Sequence, residues 1–432
     1  MKFGKVGQVV LVSAIALSVA TLFTACSTLT VDFLFVPTTL GSPGQIEVYE
    51  VNSESGALRR IPTSPFPSGG RNPLAEAVSP DFLNLYVANN EDNNIVQFGI
   101  GTDGKLYPQS TINTPGTYPV ALAVSGTYAY VVDNLGPVAG CSLANPCPGL
   151  IAGYTIAPQT STVNPGSLGL APASCSSVPA PSPLPTCTDG NPITNSNGMP
   201  YVSLQLSAND QTVLTPAAVN VTANGNYLYV TAYNVATSPY QGYLFAFSVG
   251  GGGSLTPVPL GPNYLVNGQS TQMVPLPVGS EPVTLMSDSA SQYLYVVDKY
   301  KNQIETFSLQ SGGVPTPLGT VPTGNQPSSI TMFKNSFLYV SNALDSTVTA
   351  YSVSSGNLTQ IGAYASSLNP VAVTVDPRNV GYLYTVNFLG NSLSGYQINQ
   401  TSGALINAQA SPYTSSAQPV TVTGIPHAGS VQ

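Results

Sequence analysis

Charge is the scarcest property of this chain: Asp, Glu, Lys and Arg together make up 6% of its 432 residues, against roughly a quarter in an average soluble protein. It has one histidine, His427, and no tryptophan. Each scarcity excludes something. Ten Lys and Arg against 18 Asp and Glu give a formal charge of -8. No basic cluster is left for a phosphate backbone, so nucleic acid is not expected as a partner. His427 falls in a terminal segment, where chains are usually poorly ordered. Setting it aside removes both a Ser-His-Asp arrangement and a histidine metal site, so any hydrolysis must rest on carboxylates and water. Beyond Phe23 no apolar run is long enough to span a bilayer. What the chain has instead is Gly, Pro, Ser, Thr, Asn and Tyr, including 41 Gly and 39 Pro. That is the composition of a turn-rich, all-β protein.

The first residues read as an address. Lys2 and Lys5 precede an apolar stretch from Val9 to Phe23 that ends at Thr24-Ala25-Cys26, the layout of an export signal. The stretch resembles a bacterial lipoprotein leader, with Phe23 where such leaders usually carry Leu. The resemblance implies a signal peptide over 1–25, lipid on Cys26 and a tether over 26–32. It also implies a place in the bacterial cell envelope, with membrane contact through the lipid alone. An ordinary signal peptide cleaved elsewhere is the alternative.

Seven copies of one motif follow. They read Leu34-Phe35-Val36, Leu85-Tyr86-Val87, Ala129-Tyr130-Val131, Leu228-Tyr229-Val230, Leu294-Tyr295-Val296, Leu338-Tyr339-Val340 and Leu383-Tyr384-Thr385. Each is set among three other strand-like signals. A Pro with alternating apolar residues comes before it, as at Pro73 or Pro282. An apolar–aromatic–aliphatic pattern comes after it, as Ile95/Phe98/Ile100, and then a Gly-x-Leu turn, as at Gly104. Period-two segments separated by turn glycines read as four strands, A to D, per unit. Seven such units predict a seven-bladed β-propeller over residues 33–432 with four-stranded blades. The order is permuted: the chain starts on strand B of unit one, and Pro419-Val420-Thr421-Val422 is an A strand with no B strand after it. The C-terminal strand is therefore expected to close the first blade, removing open sheet edges.

The pattern is similar to the lactonase-type seven-bladed propellers, which are phosphogluconolactonase-like, and to the related YVTN-repeat propellers. Tyr86-Val87-Ala88-Asn89, Tyr339-Val340-Ser341-Asn342 and Ser64-Pro65-Phe66-Pro67 carry the resemblance. It implies the fold and, taken literally, lactone hydrolysis. A phosphorylated sugar lactone would need basic residues that this chain spreads thinly, so a neutral lactone is the form of that activity compatible with the composition.

Insertions point to one face. The distance from the B-strand aromatic to the first C-strand apolar residue is 9 in four units, but 11 in unit one, 21 in unit three and 15 in unit four. The D-to-A connections also lengthen after Leu168, with a Cys/Pro-rich insertion at about 171–215, and after Leu255. In antiparallel blades the B-to-C and D-to-A loops emerge together, and loops on a rigid scaffold carry binding. Cys141, Cys147, Cys175 and Cys187 lie in these insertions, so two disulfides stapling them are expected, local pairs being preferred over the other two connectivities. A cysteine zinc site has the wrong spacing, and no metal is assigned.

Within this frame Glu76 breaks a rule: three residues after the A-strand Pro the other units carry Leu122, Val219, Leu285, Ile330, Val373 and Val422. A carboxylate on the innermost strand needs a partner or a raised pKa. Arg71, just before the same strand, is the expected partner, and the two are the candidate catalytic residues. Asn89, Asp133, Asp298, Asn342 and Asn387 share one register and are expected to bond nearby backbone. Glu91, Asp92 and Asp345 leave room for calcium, without a calcium-loop motif, so no cofactor is assigned. The strand tyrosines read as packing between blades rather than a carbohydrate platform. The reading that follows is an exported, monomeric binding or scaffold protein using its loop-rich face for a small molecule, glycan or protein. Lactone hydrolysis is the alternative.

Overall fold

The structure is a computed structural model describing residues 30–162, 164–169, 192–193, 201–206, 212–260, 265–266, 269–270 and 273–427. Antiparallel sheets follow one another around a ring of seven blades, and the described residues contain no α-helix. Blade two shows the plan: Pro73–Val78 is innermost, followed outward by Asn84–Asn89, Asn94–Ile100 and Leu106–Asn113. Blade one is completed as the permuted order predicts. Its strand Thr30–Thr38 lies between Gln45–Asn52 and the C-terminal Thr423–Pro426, with Phe33 opposite Ile425 and Phe35 opposite Thr423. Regular pairing starts four residues after Pro419, which is joined to Thr38 by a single bridge. His427 is held on the face away from the insertions: its amide donates to the Val31 carbonyl at 2.7 Å, and its ring lies 5.3 Å from that of Phe33. It is ordered by these contacts rather than frayed.

The outer position is continuous in blades two, five and six but split elsewhere. In blade one Leu58–Arg60 and Phe66–Pro67 both pair with Gln45–Asn52, and in blade seven Leu405–Asn407 and Tyr413–Thr414 both pair with Ser392–Ile398. Where the ladder is interrupted, a serine hydroxyl takes over. Ser64 Oγ accepts the Val48 amide and Ser411 Oγ the Gly395 amide, each at 2.9 Å. These serines open the Ser-Pro-aromatic stretches of the two blades.

The core is a set of apolar wedges between blades. Leu85, Val87 and Phe98 of blade two pack on Phe33, Phe35 and Val48 of blade one, all essentially buried. Burying each such side chain is worth about 1.5–3 kcal/mol. The motif tyrosine adds a polar rivet. Tyr86, Tyr130, Tyr229, Tyr339 and Tyr384 donate their hydroxyls to the carbonyls of Gly166, Gly253, Gly313, Gly403 and Gly56 in the next blade, at 2.6–3.0 Å. These carbonyls belong to the Gly-x-Leu turns and, in blade five, to its Gly312-Gly313-Val314 counterpart. All seven turn glycines have φ between 66° and 79°, and a Cβ on Gly56 would come within 2.3 Å of the Tyr382 ring. The two commonest motifs of the sequence are thus the two halves of one interblade contact.

A second latch closes the loop-rich face. Asn93, Asn302 and Asn391, in B-to-C turns, accept the amides of Tyr118, Gln326 and Gln418 from the blade that follows, at 2.7–2.8 Å. Ser346 does the same for Asn369 at 3.4 Å. Donor and acceptor residues alike sit at positive φ. The latch occurs in the four blades with the nine-residue spacing, where the turn is short enough to hold its side chain over the junction.

Candidate functional site

Strand direction puts the described B-to-C insertions on one face, the face on which the inner strands begin. In blade three the Gly136–Gly149 excursion is stapled by a Cys141–Cys147 disulfide with Cα atoms 5.6 Å apart. Cys175 and Cys187 lie outside the described residues. The same face carries Leu40, Leu344, Leu368 and Leu389, each 58–64% exposed, on neighbouring blades six, seven and one. Two grooves of 340 and 330 Å³ lie elsewhere, one lined by Glu50, Arg59 and Gln409 and the other by the A-to-B turns of blades three and four.

Arg71 stands on the loop-rich face and does not reach Glu76. Its guanidinium contacts Asp92 at 2.6 Å and Glu91 at 3.6 Å, while its backbone amide donates to Asp92 at 2.7 Å. The pairing holds Asp92 below the ordinary carboxylate range. Blade six repeats the device at the same register: the Asn325 amide and side chain donate to Asp345 at 2.7 and 2.8 Å. Arg71 is therefore first a loop clamp. Arg71 lies before the strand, which begins at Pro73, and is held by the Asp92 loop, which is why the expected pair does not form. Glu91, Asp92 and Asp345 are likewise occupied by these contacts, and among the described residues no group of three or more His, Cys, Asp and Glu side chains is arranged to hold a metal.

Glu76 is on the inner strand of blade two, opposite Val87. Ala75 and Ala77 beside it face the wedge with blade three, so Glu76 and Val78 turn toward blade one. Part of its stem is accessible, but both carboxylate oxygens are sealed from solvent and have no hydrogen-bond partner of good geometry. Burial raises its pKa well above the ordinary value, opposed only by the nearby Thr423 amide of the closing strand. Burial thus favours the protonated form of this carboxyl over the charged one.

The shared polar register bonds backbone, though across a longer loop than a local turn. Asp133 accepts the Gly116 amide at 2.9 Å, Asp298 the Glu281 amide at 3.0 Å and Asn342 the Gly324 amide at 3.1 Å, tying each D-to-A connection to its own B strand. In blades six and seven the Asn amide also donates to a hydroxyl on strand C, as Asn342 to Thr349 at 2.9 Å and Asn387 to Ser394 at 3.0 Å. Aspartate has nothing to donate, so Asp133 Oδ1 and Asp298 Oδ2 are buried without partners. Burial raises Asp133 to about 7. In blade five the residue aligned with Thr349 is Glu305. Burial, then the Asp298 charge, raise it to about 7, against weak bonds from Gln303 and Ser280. Two acids therefore stand in blade five where the counterparts in blades six and seven make an amide–hydroxyl bond. Sequence reasoning missed Glu305 and Glu47, which occupy one C-strand register held elsewhere by Val96, Ala152, Phe245, Thr349 and Ser394. Glu47 accepts Arg60, Tyr49 and Ser415 at 2.6–2.9 Å and is held low, a fully satisfied joint between blades one and seven.

Most cations among the described residues are engaged, Lys301, exposed in the B-to-C turn of blade five, being the exception. Arg59, Arg60, Arg71, Lys105, Lys299 and Arg378 each face a carboxylate, and Lys334 donates to Gln400. Among the described residues no cradle for a phosphate is formed.

Residues 270–423 match the model of the lactonase seven-bladed β-propeller family. No curated protein matches the chain. Solved structures share its fold along nearly the whole length. A putative 6-phosphogluconolactonase from Bacteroides fragilis has a TM-score of 0.67 at 19% identity, over 92% of this chain and 99% of its own. A periplasmic gluconolactonase from Pseudomonas aeruginosa has 0.65 at 18%, with the same coverage. A protein from Lactobacillus plantarum has 0.64 at 18%, over 92% of this chain and all of its own. The fold thus holds from blade one to the closing strand: the chain is a seven-bladed β-propeller whose last blades are similar to the lactonase family.

Proposed function

We propose that the chain is a lactone hydrolase acting on an uncharged lactone on its loop-rich face. The observation that carries the reading is the match of its last blades to the lactonase family, which favours catalysis over a purely binding or scaffolding role. The engagement of most of its cations by its own carboxylates supports an uncharged substrate over a phosphorylated one. In this reading water adds to the lactone carbonyl and the ring C–O bond breaks. The leaving ring oxygen takes a proton, leaving a hydroxy acid. Glu76, whose pKa burial raises, is the inner-strand acid assigned to supply that proton, which requires its sealed oxygens to open to the bound lactone. Arg71 keeps half of its side chain exposed at the rim and offers the product carboxylate a contact. The Cys141–Cys147 disulfide supports folding outside a reducing cytoplasm, consistent with a leader over 1–25 and a lipid anchor at Cys26. Among the described residues no helix is long and apolar enough to cross a membrane.

The test is hydrolysis, followed by acid release, of a panel of unphosphorylated sugar lactones and aliphatic lactones beside a phosphorylated sugar lactone, using the chain without residues 1–25. Turnover of an uncharged lactone that Glu76→Gln removes while the fold is kept is the expected result. Absence of hydrolysis across the panel overturns the reading.

A further inference from the structure

The insertion between strands B and C of blade four builds something the other blades lack. Strand B, Tyr227–Asn234, ends beside Tyr233, and the inserted Val235–Tyr240 loop brings Tyr240 back against it, with ring centroids 5.8 Å apart and planes inclined by 33°. Tyr300, in the B-to-C turn of blade five, continues the series at 6.2 Å and 46°. Buried aromatic clusters close on themselves. This one opens outward: Tyr233 and Tyr240 are partly covered, whereas Tyr300 is 62% exposed. Beside it Lys299 and Glu281 form an ion pair at 3.0 Å, with the lysine side chain still 39% exposed. Glu281 also lies close enough to Tyr233 to raise its hydroxyl pKa, after burial itself.

We infer that Tyr233, Tyr240 and Tyr300 form a platform for a neutral saccharide at the junction of blades four and five. The inference goes beyond lactone hydrolysis and does not rest on it. The chemistry of the site selects the ligand class. Stepped aromatic faces receive the C–H faces of pyranose rings and cover little else as well, since a flat apolar ligand would need a deeper cleft. The Lys299 ammonium and Glu281 carboxylate supply one donor and one acceptor to adjacent hydroxyls and cancel each other's charge, and Lys301, exposed in the same turn, adds a further donor. A protein of net charge -8 with its arginines paired would repel anionic glycans. The tyrosines of the platform are distinct from the motif tyrosines, whose hydroxyls are committed to interblade carbonyls.

The chain has no tryptophan to mask its 24 tyrosines, so the difference in emission between the parent and Tyr300→Ala reports the platform. Titration with malto-, cello-, xylo- and chito-oligosaccharides of four to six units, none of them a lactone, is expected to give saturable binding to at least one series by calorimetry and fluorescence. Tyr300→Ala is expected to weaken that binding roughly tenfold, about the worth of one well-stacked ring. Glu281→Gln weakens it by breaking the ion pair, and Tyr300→Phe preserves it. Tyr300 is exposed, so circular dichroism and melting of the alanine variant should match the parent. No binding to any series at millimolar concentration, or binding indifferent to Tyr300→Ala, overturns the inference. Lactone turnover is unaffected by either outcome, so the two readings fail separately.

Discussion

Replacing Glu76 by leucine restores on blade two the aliphatic that every other blade carries at that position. A buried carboxyl without a good partner costs about 1–3 kcal/mol, so Glu76→Leu is expected to raise the melting temperature while abolishing lactone turnover. A lower melting temperature would mean that the carboxyl pins the closing strand through Thr423. The motif tyrosines make a sharper contrast. Tyr339→Phe strands the buried Gly403 carbonyl and should cost about 1–3 kcal/mol, whereas Tyr295, alone among them, buries its hydroxyl without a partner, so Tyr295→Phe should be neutral or stabilising. Denaturant unfolding of the two variants in parallel decides the point. At this scale the sequence announces an anomaly but not its partner. Glu76 is visible because six aligned positions are apolar. That Arg71 turns away is invisible, because the competing acid, Asp92, is distant in sequence and meets it only once the loops close.

Strands were legible for the opposite reason: seven repetitions average out local ambiguity. The Gly-x-Leu and Leu-Tyr-Val signals are regular because at five of the seven junctions the glycine carbonyl receives a tyrosine hydroxyl from the blade before it. Less legible were the split outer strands, which follow from a serine hydroxyl standing in for the ladder, and the start of the closing strand, displaced from Pro419 to Thr423. Deleting the chain after Pro412 removes that strand and leaves Thr30–Thr38 as an open edge. Aggregation, or loss of the cooperative melt, is expected in sedimentation and scanning calorimetry. A monomeric product with unchanged melting would refute the closure.

Across the whole molecule several buried acids are shifted the same way. Asp32, Asp133 and Glu305 are each raised to about 7, chiefly by burial. Between pH 4 and 7 the folded state therefore holds protons that the unfolded chain has released. Their contribution to stability is full below about pH 4 and declines as pH rises to about 7. Glu47, held low, works against this at the acid end. Melting temperature should thus fall from pH 5 to pH 8, and Asp133→Asn with Glu305→Gln, which place an amide where a proton is now required, should flatten that slope. A rise over the same range would contradict the burial of these groups.

The entry of the chain on strand B of blade one has a further consequence, for posture. Strand B runs from the plain face toward the loop-rich one, so Thr30 leaves the disc on the plain side, near Arg378 and His427. With lipid on Cys26, only four residues would separate the bilayer from Thr30, at most about 14 Å of chain. The disc would then lie almost flat on the membrane, its grooved underside against the headgroups. The loop-rich face and the tyrosine platform would look outward, toward whatever diffuses past the cell envelope.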